Sequence, residues 1–77
     1  MSEWRQEGEA LVRDQKFKDF AEAMAYVNRV ADLAEEVDHH PDILVHGWNN
    51  VRLTLTTHSA GKLTGNDHEM ARRIDAL

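Results

Sequence analysis

The sequence contains no cysteine. Disulfides and thiolate chemistry, whether nucleophilic or metal-binding, are therefore excluded. Basic residues are also in short supply. Nine lysines and arginines against fourteen aspartates and glutamates leave a formal net charge of −5. A nucleic-acid surface needs clustered lysine and arginine, so no nucleic-acid partner is expected. The charges alternate in sign along the chain, as on an ordinary solvated surface. No apolar run approaches the roughly 20 residues that span a bilayer, and the polar start MSEWRQEGEA lacks the apolar core of a signal peptide. These absences point to a soluble, cytoplasmic chain with no membrane partner. Internal repeats and low-complexity segments are missing too. A length of 77 residues supports one domain, residues 1–77, whose thin core makes oligomerisation a reasonable expectation.

What the chain does contain is patterned. EALVRDQKFKDF places Leu11, Arg13, Gln15 and Phe17 on one side of a strand and Val12, Asp14, Lys16 and Lys18 on the other. Asp19 followed by Glu22 resembles a capping box, and Phe20, Met24, Val27, Ala31 and Ala34 recur at spacings of three and four, with Val30 and Val37 extending the stripe. This predicts an amphipathic helix from about Asp19 to Val37. The single proline, Pro41, lacks an amide proton and pushes His40 toward extended backbone, so the helix must end before the histidines. DILVH then reads as a short strand and HGWNN as a turn. VRLTLTT alternates strictly, a half-buried antiparallel strand that completes a hairpin with DILVH. Thr64 with Asp67 marks a second cap, opening a final helix with Met70, Ala71, Ile74 and Leu77 on one face. The order strand, helix, strand, strand, helix implies an α+β domain with helices on one face of an antiparallel sheet.

The chemistry-bearing residues fall at element boundaries, where sites usually lie. Glu35 and Asp38 end the long helix, His39 and His40 follow in the loop, His58 comes just past a strand, and Asp67 sits in the first turn of the last helix. The start of one hairpin strand lies opposite the end of the next, so His39 or His40 should meet His58 at one end of the sheet. His46 and His68 read as isolated surface histidines. A polar loop without function is one reading of the double histidine. A metal site built from His39, His40, His58 and a carboxylate is another, although the spacing matches no zinc signature. Trp4 and Trp48 suit either a core or a stacking surface. Imidazole is the natural proton-transfer group near neutral pH, with an unperturbed pKa of about 6.5. Histidines beside a carboxylate fit a dehydration, which protonates a departing hydroxyl and removes a proton from the neighbouring atom.

The order of these residues closely resembles one family. DHHPDI, then an aromatic, then LTLTTHSAGKLTGND, is similar to the pterin-4a-carbinolamine dehydratases. Glu35, His39, His40, Pro41, Trp48, Thr57, His58, Gly61, Leu63, Thr64 and Asp67 carry the likeness. Trp4, Gly8, Leu11, Arg13, FKDFAEAMAYVNRVADLAE and ARRID extend it over nearly the whole chain.

The resemblance implies a four-stranded antiparallel sheet, assembly into homodimers or homotetramers, and no metal or organic cofactor. It implies dehydration of 4a-hydroxytetrahydrobiopterin to quinonoid dihydropterin. His39 and His58 would be the acid/base residues, His40 would chiefly bind the pterin, and Glu35 and Asp67 would orient the histidines. Asp38, Pro41, Trp48, Thr57 and Trp4 would line the substrate site. The resemblance also admits a non-catalytic use as a binding, dimerisation or assembly module, and the same chemistry on another pterin. Three departures stand out. Family members typically begin with a further helical segment before the tryptophan, whereas here Trp4 is the fourth residue. One extra residue separates Pro41 from the aromatic, predicting a bulge or longer turn near Gly47. Gln15 occupies a position that is commonly apolar or aromatic.

Overall fold

The structure, a computed structural model, describes residues 3–57 and 59–77. Its elements in chain order are β1 (Arg5–Glu7), β2 (Ala10–Lys16), α1 (Phe20–Val37), β3 (Asp42–His46), β4 (Asn50–Leu55) and α2 (Gly65–Asp75). The four strands form one antiparallel sheet in the order β1-β2-β4-β3. The pattern-derived element order thus lacks one strand. β1 reads Arg-Gln-Glu and is exposed throughout, so no apolar alternation announces it. It forms by pairing, where Gly8 at φ +61° lets a two-residue turn fold Arg5 back onto Val12.

Both helices cover one face of the sheet. Leu11, Val51, Leu53 and Leu55 from the strands share a single core with Ala23, Tyr26, Val30 and Ala34 of α1 and Met70, Ala71 and Ile74 of α2. Strict alternation in β4 delivers its three apolar side chains to that face, each at most 1% exposed. The buried stripe of α1 differs from the expected one. Ala23, Tyr26, Val30 and Ala34 point inward while Phe20 is 54% exposed. The helix is rotated so that Tyr26 enters the core, where its ring meets Phe17 with centroids 5.0 Å apart. Burying the Tyr26 ring at mid-helix outweighs burying Phe20, the first residue of the helix.

Local signals fix the ends of the helices. The Asp19 carboxylate accepts from the Glu22 amide at 2.8 Å, as a cap should. The returning Glu22 side chain meets the amide of Lys18 instead of Asp19. α2 has the full reciprocal box between Thr64 and Asp67. α1 stops at Asp38, whose left-handed backbone (φ 55°) turns the chain out of the helix, and the amides of Asp38 and His39 both return to the Ala34 carbonyl.

The hairpin register pairs Asp42 with Thr54 and His46 with Asn50. The beginning of β3, the end of β4, the end of α1 and the beginning of α2 therefore gather at one end of the molecule. The Gly47–Asn49 turn stands at the other. Asn49, 4% exposed, ties that turn to the β2–α1 connection, with its Nδ2 donating to the Phe17 carbonyl at 2.8 Å. Among the described residues no helix is long and apolar enough to cross a membrane.

Candidate active site

The gathered end of the sheet holds a buried carboxylate. Asp67 is fully enclosed, and an ionised carboxylate tolerates such burial only with its oxygens hydrogen-bonded. Each oxygen is occupied. Oδ2 accepts the Thr57 hydroxyl at 2.8 Å and the Thr64 amide at 3.0 Å, and Oδ1 lies 2.6 Å from Nε2 of His39. The Thr57 and Thr64 hydroxyls are in turn 2.7 Å apart. Burial pushes the Asp67 carboxyl up. The His39 ring, the Thr64 amide and the Thr57 hydroxyl more than offset that, and the group is held below the usual carboxylate range. Its position in the first turn of α2 adds the favourable end of the helix dipole.

His39 reaches Asp67 because of the reversal at Asp38. The turn out of α1 sends its ring toward α2, where the side chain is 18% exposed. The next side chain goes elsewhere. His40 Nε2 lies 2.5 Å from Glu35 Oε2, one turn back on α1, and both are well exposed. The two adjacent imidazoles thus have two separate carboxylate partners, one buried and one in solvent. An exposed pair of the second kind contributes little stability, about 0–1 kcal/mol. His39 opens onto a cleft of about 170 Å³ between α1 and α2, lined also by Val37, Asp38, Asn66, Glu69 and Arg73. Sites that enclose a drug-sized ligand usually measure roughly 300–1,000 Å³.

The structure joins His39, Thr57 and Asp67 by hydrogen bonds, places Asp38 beside His39 in the cleft, and pairs His40 with Glu35 separately, with Pro41 next in the chain. It does not bring Trp48 or Trp4 to them. Trp48 is 61% exposed in the turn at the far end of the β3–β4 hairpin. Trp4 precedes β1, its indole Nε1 donating to Asp75 Oδ1 at 2.9 Å near the end of α2. It lines a separate cleft with Leu11, His68, Ala71 and Arg72. His58, expected to face His39 or His40, lies outside the described residues. His46 and His68 are exposed. Among the described residues no three histidine or acidic side chains converge as a metal site. Thr64 escaped the sequence reading as a site residue. Its signal was present, because the capping box that names Thr64 shares its acidic member with the candidate site.

A sequence model described as pterin 4 alpha carbinolamine dehydratase matches residues 1–77. The chain belongs to that family. A Thermomicrobium roseum protein that carries the dehydratase name provisionally is 55% identical over 74 residues, covering 96% of this chain and 78% of its own. A similarly named protein of Trichormus variabilis is 47% identical over 77 residues, covering all of this chain and 82% of its own. Among solved structures, a transcriptional coactivator/pterin dehydratase from Brucella melitensis superposes with a TM-score of 0.88 at 39% identity, over 96% of this chain and 80% of that one. A pterin dehydratase-like protein identified as a RuBisCO assembly factor in the alpha-carboxysome gives 0.79 at 30% identity, over 99% and 88%. The departures from the dehydratase pattern fall outside the Asp67 cluster. In the Gly47–Asn49 turn, where a bulge or longer turn was expected, Gly47 and Trp48 both have positive φ, at 55° and 58°. Gln15 is half-buried and accepts from Arg13 at 2.7 Å.

Proposed function

We propose that this protein dehydrates 4a-hydroxytetrahydrobiopterin to quinonoid dihydropterin by histidine acid/base catalysis. The observation that carries the reading is the His39–Asp67 pair: an imidazole on the wall of an open cleft, held from behind by a buried, ionised carboxylate. Such a ring can exchange a proton with a ligand without losing its orientation. In the reaction one imidazolium gives its proton to the 4a-hydroxyl, the C4a–O bond breaks, and water leaves with the bonding pair. A neutral base removes the proton from the adjacent ring nitrogen, whose N–H pair becomes the new C=N bond. One proton is added to the substrate and one removed, so the protein's net proton count is unchanged, the acid and the base regain their starting states by exchange with water, and no redox partner is needed. His39 and His58 are assigned these two proton transfers. His40, steadied by Glu35, binds the pterin, and Asp38 and Pro41 border it.

A second reading, a non-catalytic binding or assembly module, draws support from the solved relative identified as an assembly factor. The presence of Glu35, His39, His40, His58 and Asp67 together in one chain favours catalysis. The discriminating experiment is stopped-flow dehydration of chemically generated 4a-hydroxytetrahydropterin. Wild type should accelerate water loss and His39→Ala and His58→Ala should not. Folded wild type without acceleration would leave the module reading.

A further inference from the structure

The hydrogen bonds behind His39 settle more than its orientation. Each hydroxyl has one proton to give. Thr57 gives its proton to Asp67 Oδ2 at 2.8 Å. The 2.7 Å contact between the two threonine oxygens must then be donated by Thr64. Thr64 Oγ1 meanwhile accepts the Asn66 amide at 3.3 Å. A directed chain results, running from the first turn of α2 through Thr64 and Thr57 to one oxygen of Asp67, which also accepts the Thr64 amide at 3.0 Å. With two donors on Oδ2, a proton on that oxygen would face both of them. The carboxyl is also held below the usual carboxylate range, so near neutral pH neither oxygen carries a proton and Oδ1 can only accept. Across 2.6 Å, the donor must be His39 Nε2–H.

We infer that neutral His39 is the Nε2–H tautomer, that Nδ1 is therefore its proton-accepting atom, and that Thr57 and Thr64 are positioning residues that enforce this through Asp67. Among the described residues Nδ1 has no hydrogen-bond partner. Thr57 is accordingly reassigned: its hydroxyl proton is committed to Asp67 and is not free for a substrate. The use of Nδ1 on a substrate rests on the dehydratase reading; the tautomer does not. The charged groups around the ring are Asp67, Glu69 and Arg73 from α2 and Asp38 at the end of α1, with the Glu35–His40 pair alongside. Of these only Asp67 contacts a ring nitrogen of His39.

Long-range 1H–15N correlation spectra of histidine-labelled protein test the assignment, recorded near pH 8.5, about two units above the ordinary imidazole pKa. In wild type the His39 signals should show one dominant neutral tautomer with the proton on Nε2. Thr57→Val keeps the shape and removes the donor. With one of the two donors on Oδ2 gone the carboxylate can rotate away from His39, which should let a second tautomer appear and lower kcat about 10-fold with KM within about twofold, as expected when a proton-transfer group is partly mis-set. Thr57→Ser should restore both readings. A wild-type ring protonated on Nδ1 would overturn the inference. So would a Thr57→Val protein with an unchanged spectrum and a raised KM, which would make Thr57 a binding residue. If Thr57→Val fails to fold, Thr64→Val, which acts one link further back, should give a smaller shift in the same direction, and an unchanged tautomer there removes Thr64 from the chain. The wild-type spectrum needs no turnover. An Nε2–H ring in a protein that does not speed dehydration defeats the proposed activity and upholds the tautomer. An Nδ1–H ring in an active enzyme does the reverse.

Discussion

Replacing Asp67 by asparagine changes one heavy atom and separates what this carboxylate does for the fold from what it does for His39. The amide oxygen can take the place of Oδ2 and still accept from Thr57 and Thr64, which preserves the cap of α2. The amide nitrogen then faces His39 across the position of Oδ1. It can only donate, so Nε2 must become the acceptor and the ring proton moves to Nδ1. The stability cost is the difference between charge-assisted and neutral hydrogen bonds, roughly 1.5–3 against about 1 kcal/mol each. A lost interaction with the helix dipole adds about 0.3–1 kcal/mol. Over the three bonds and the dipole that sums to about 2–7 kcal/mol, an upper bound because a neutral amide costs less to bury than a carboxylate, against an expected stability of about 4–12 kcal/mol at this length. Tm should fall by about 8 °C or more, and the variant is compared with wild type at a temperature where both are folded. Its turnover should fall further than its stability suggests, by about 10²–10⁴-fold in kcat, because the proton sits on the wrong nitrogen. Circular dichroism melts and stopped-flow dehydration measure the two effects on one preparation. A folded Asp67→Asn enzyme with kcat within about twofold of wild type would refute the reasoning.

Three further outcomes follow from the same structure. Because the folded-state carboxyl of Asp67 is depressed, its contribution to stability is fully present above the ordinary aspartate pKa of about 3.9 and is lost as pH falls through the folded value; urea melts from pH 6 down to pH 2.5 should show an acid limb that is shallower in Asp67→Asn. Trp48 is held at φ 58°, a region costing a non-glycine residue roughly 1–2 kcal/mol, so Trp48→Gly should raise stability by up to about 1 kcal/mol and leave turnover unchanged, and a loss of turnover would return Trp48 to the site. Leu53 is 1% exposed at the centre of β4, and Leu53→Ala should cost about 2–5 kcal/mol in denaturant melts, while a cost under 1 kcal/mol would contradict the assigned core.

Much of this architecture was legible because it rests on local rules. The alternation of VRLTLTT, the caps at Asp19 and Thr64, and Pro41 locate β4, both helix starts and the break before His39 without reference to any neighbour. The parts that were not legible depend on pairing or on competition between neighbouring faces. β1 has no apolar residue and exists only through its register with β2. The rotation of α1 depends on Phe17 receiving Tyr26, a contact between different elements. Asn49 looks like turn composition until its side chain is seen bonding the Phe17 carbonyl. Within the candidate site, the types and positions of Glu35, His39, His40 and Asp67 could be read off. Their pairing could not: which carboxylate each imidazole meets is fixed by the left-handed turn at Asp38, which sends His39 to Asp67 and leaves His40 beside Glu35. Thr57 shows the limit of reasoning from residue type, because a threonine beside a site can serve a substrate or serve a carboxylate, and only the geometry around Asp67 separates the two.

The most direct test of the central claim is the initial rate of 4a-hydroxytetrahydropterin dehydration, followed by stopped-flow absorbance with wild type and His39→Ala side by side. The expected result is clear acceleration by wild type over the buffer rate and its loss, by about 10²-fold or more, in a folded His39→Ala protein. Equal rates for the two proteins, or no acceleration by either, would contradict the account of His39 as a proton-transfer group.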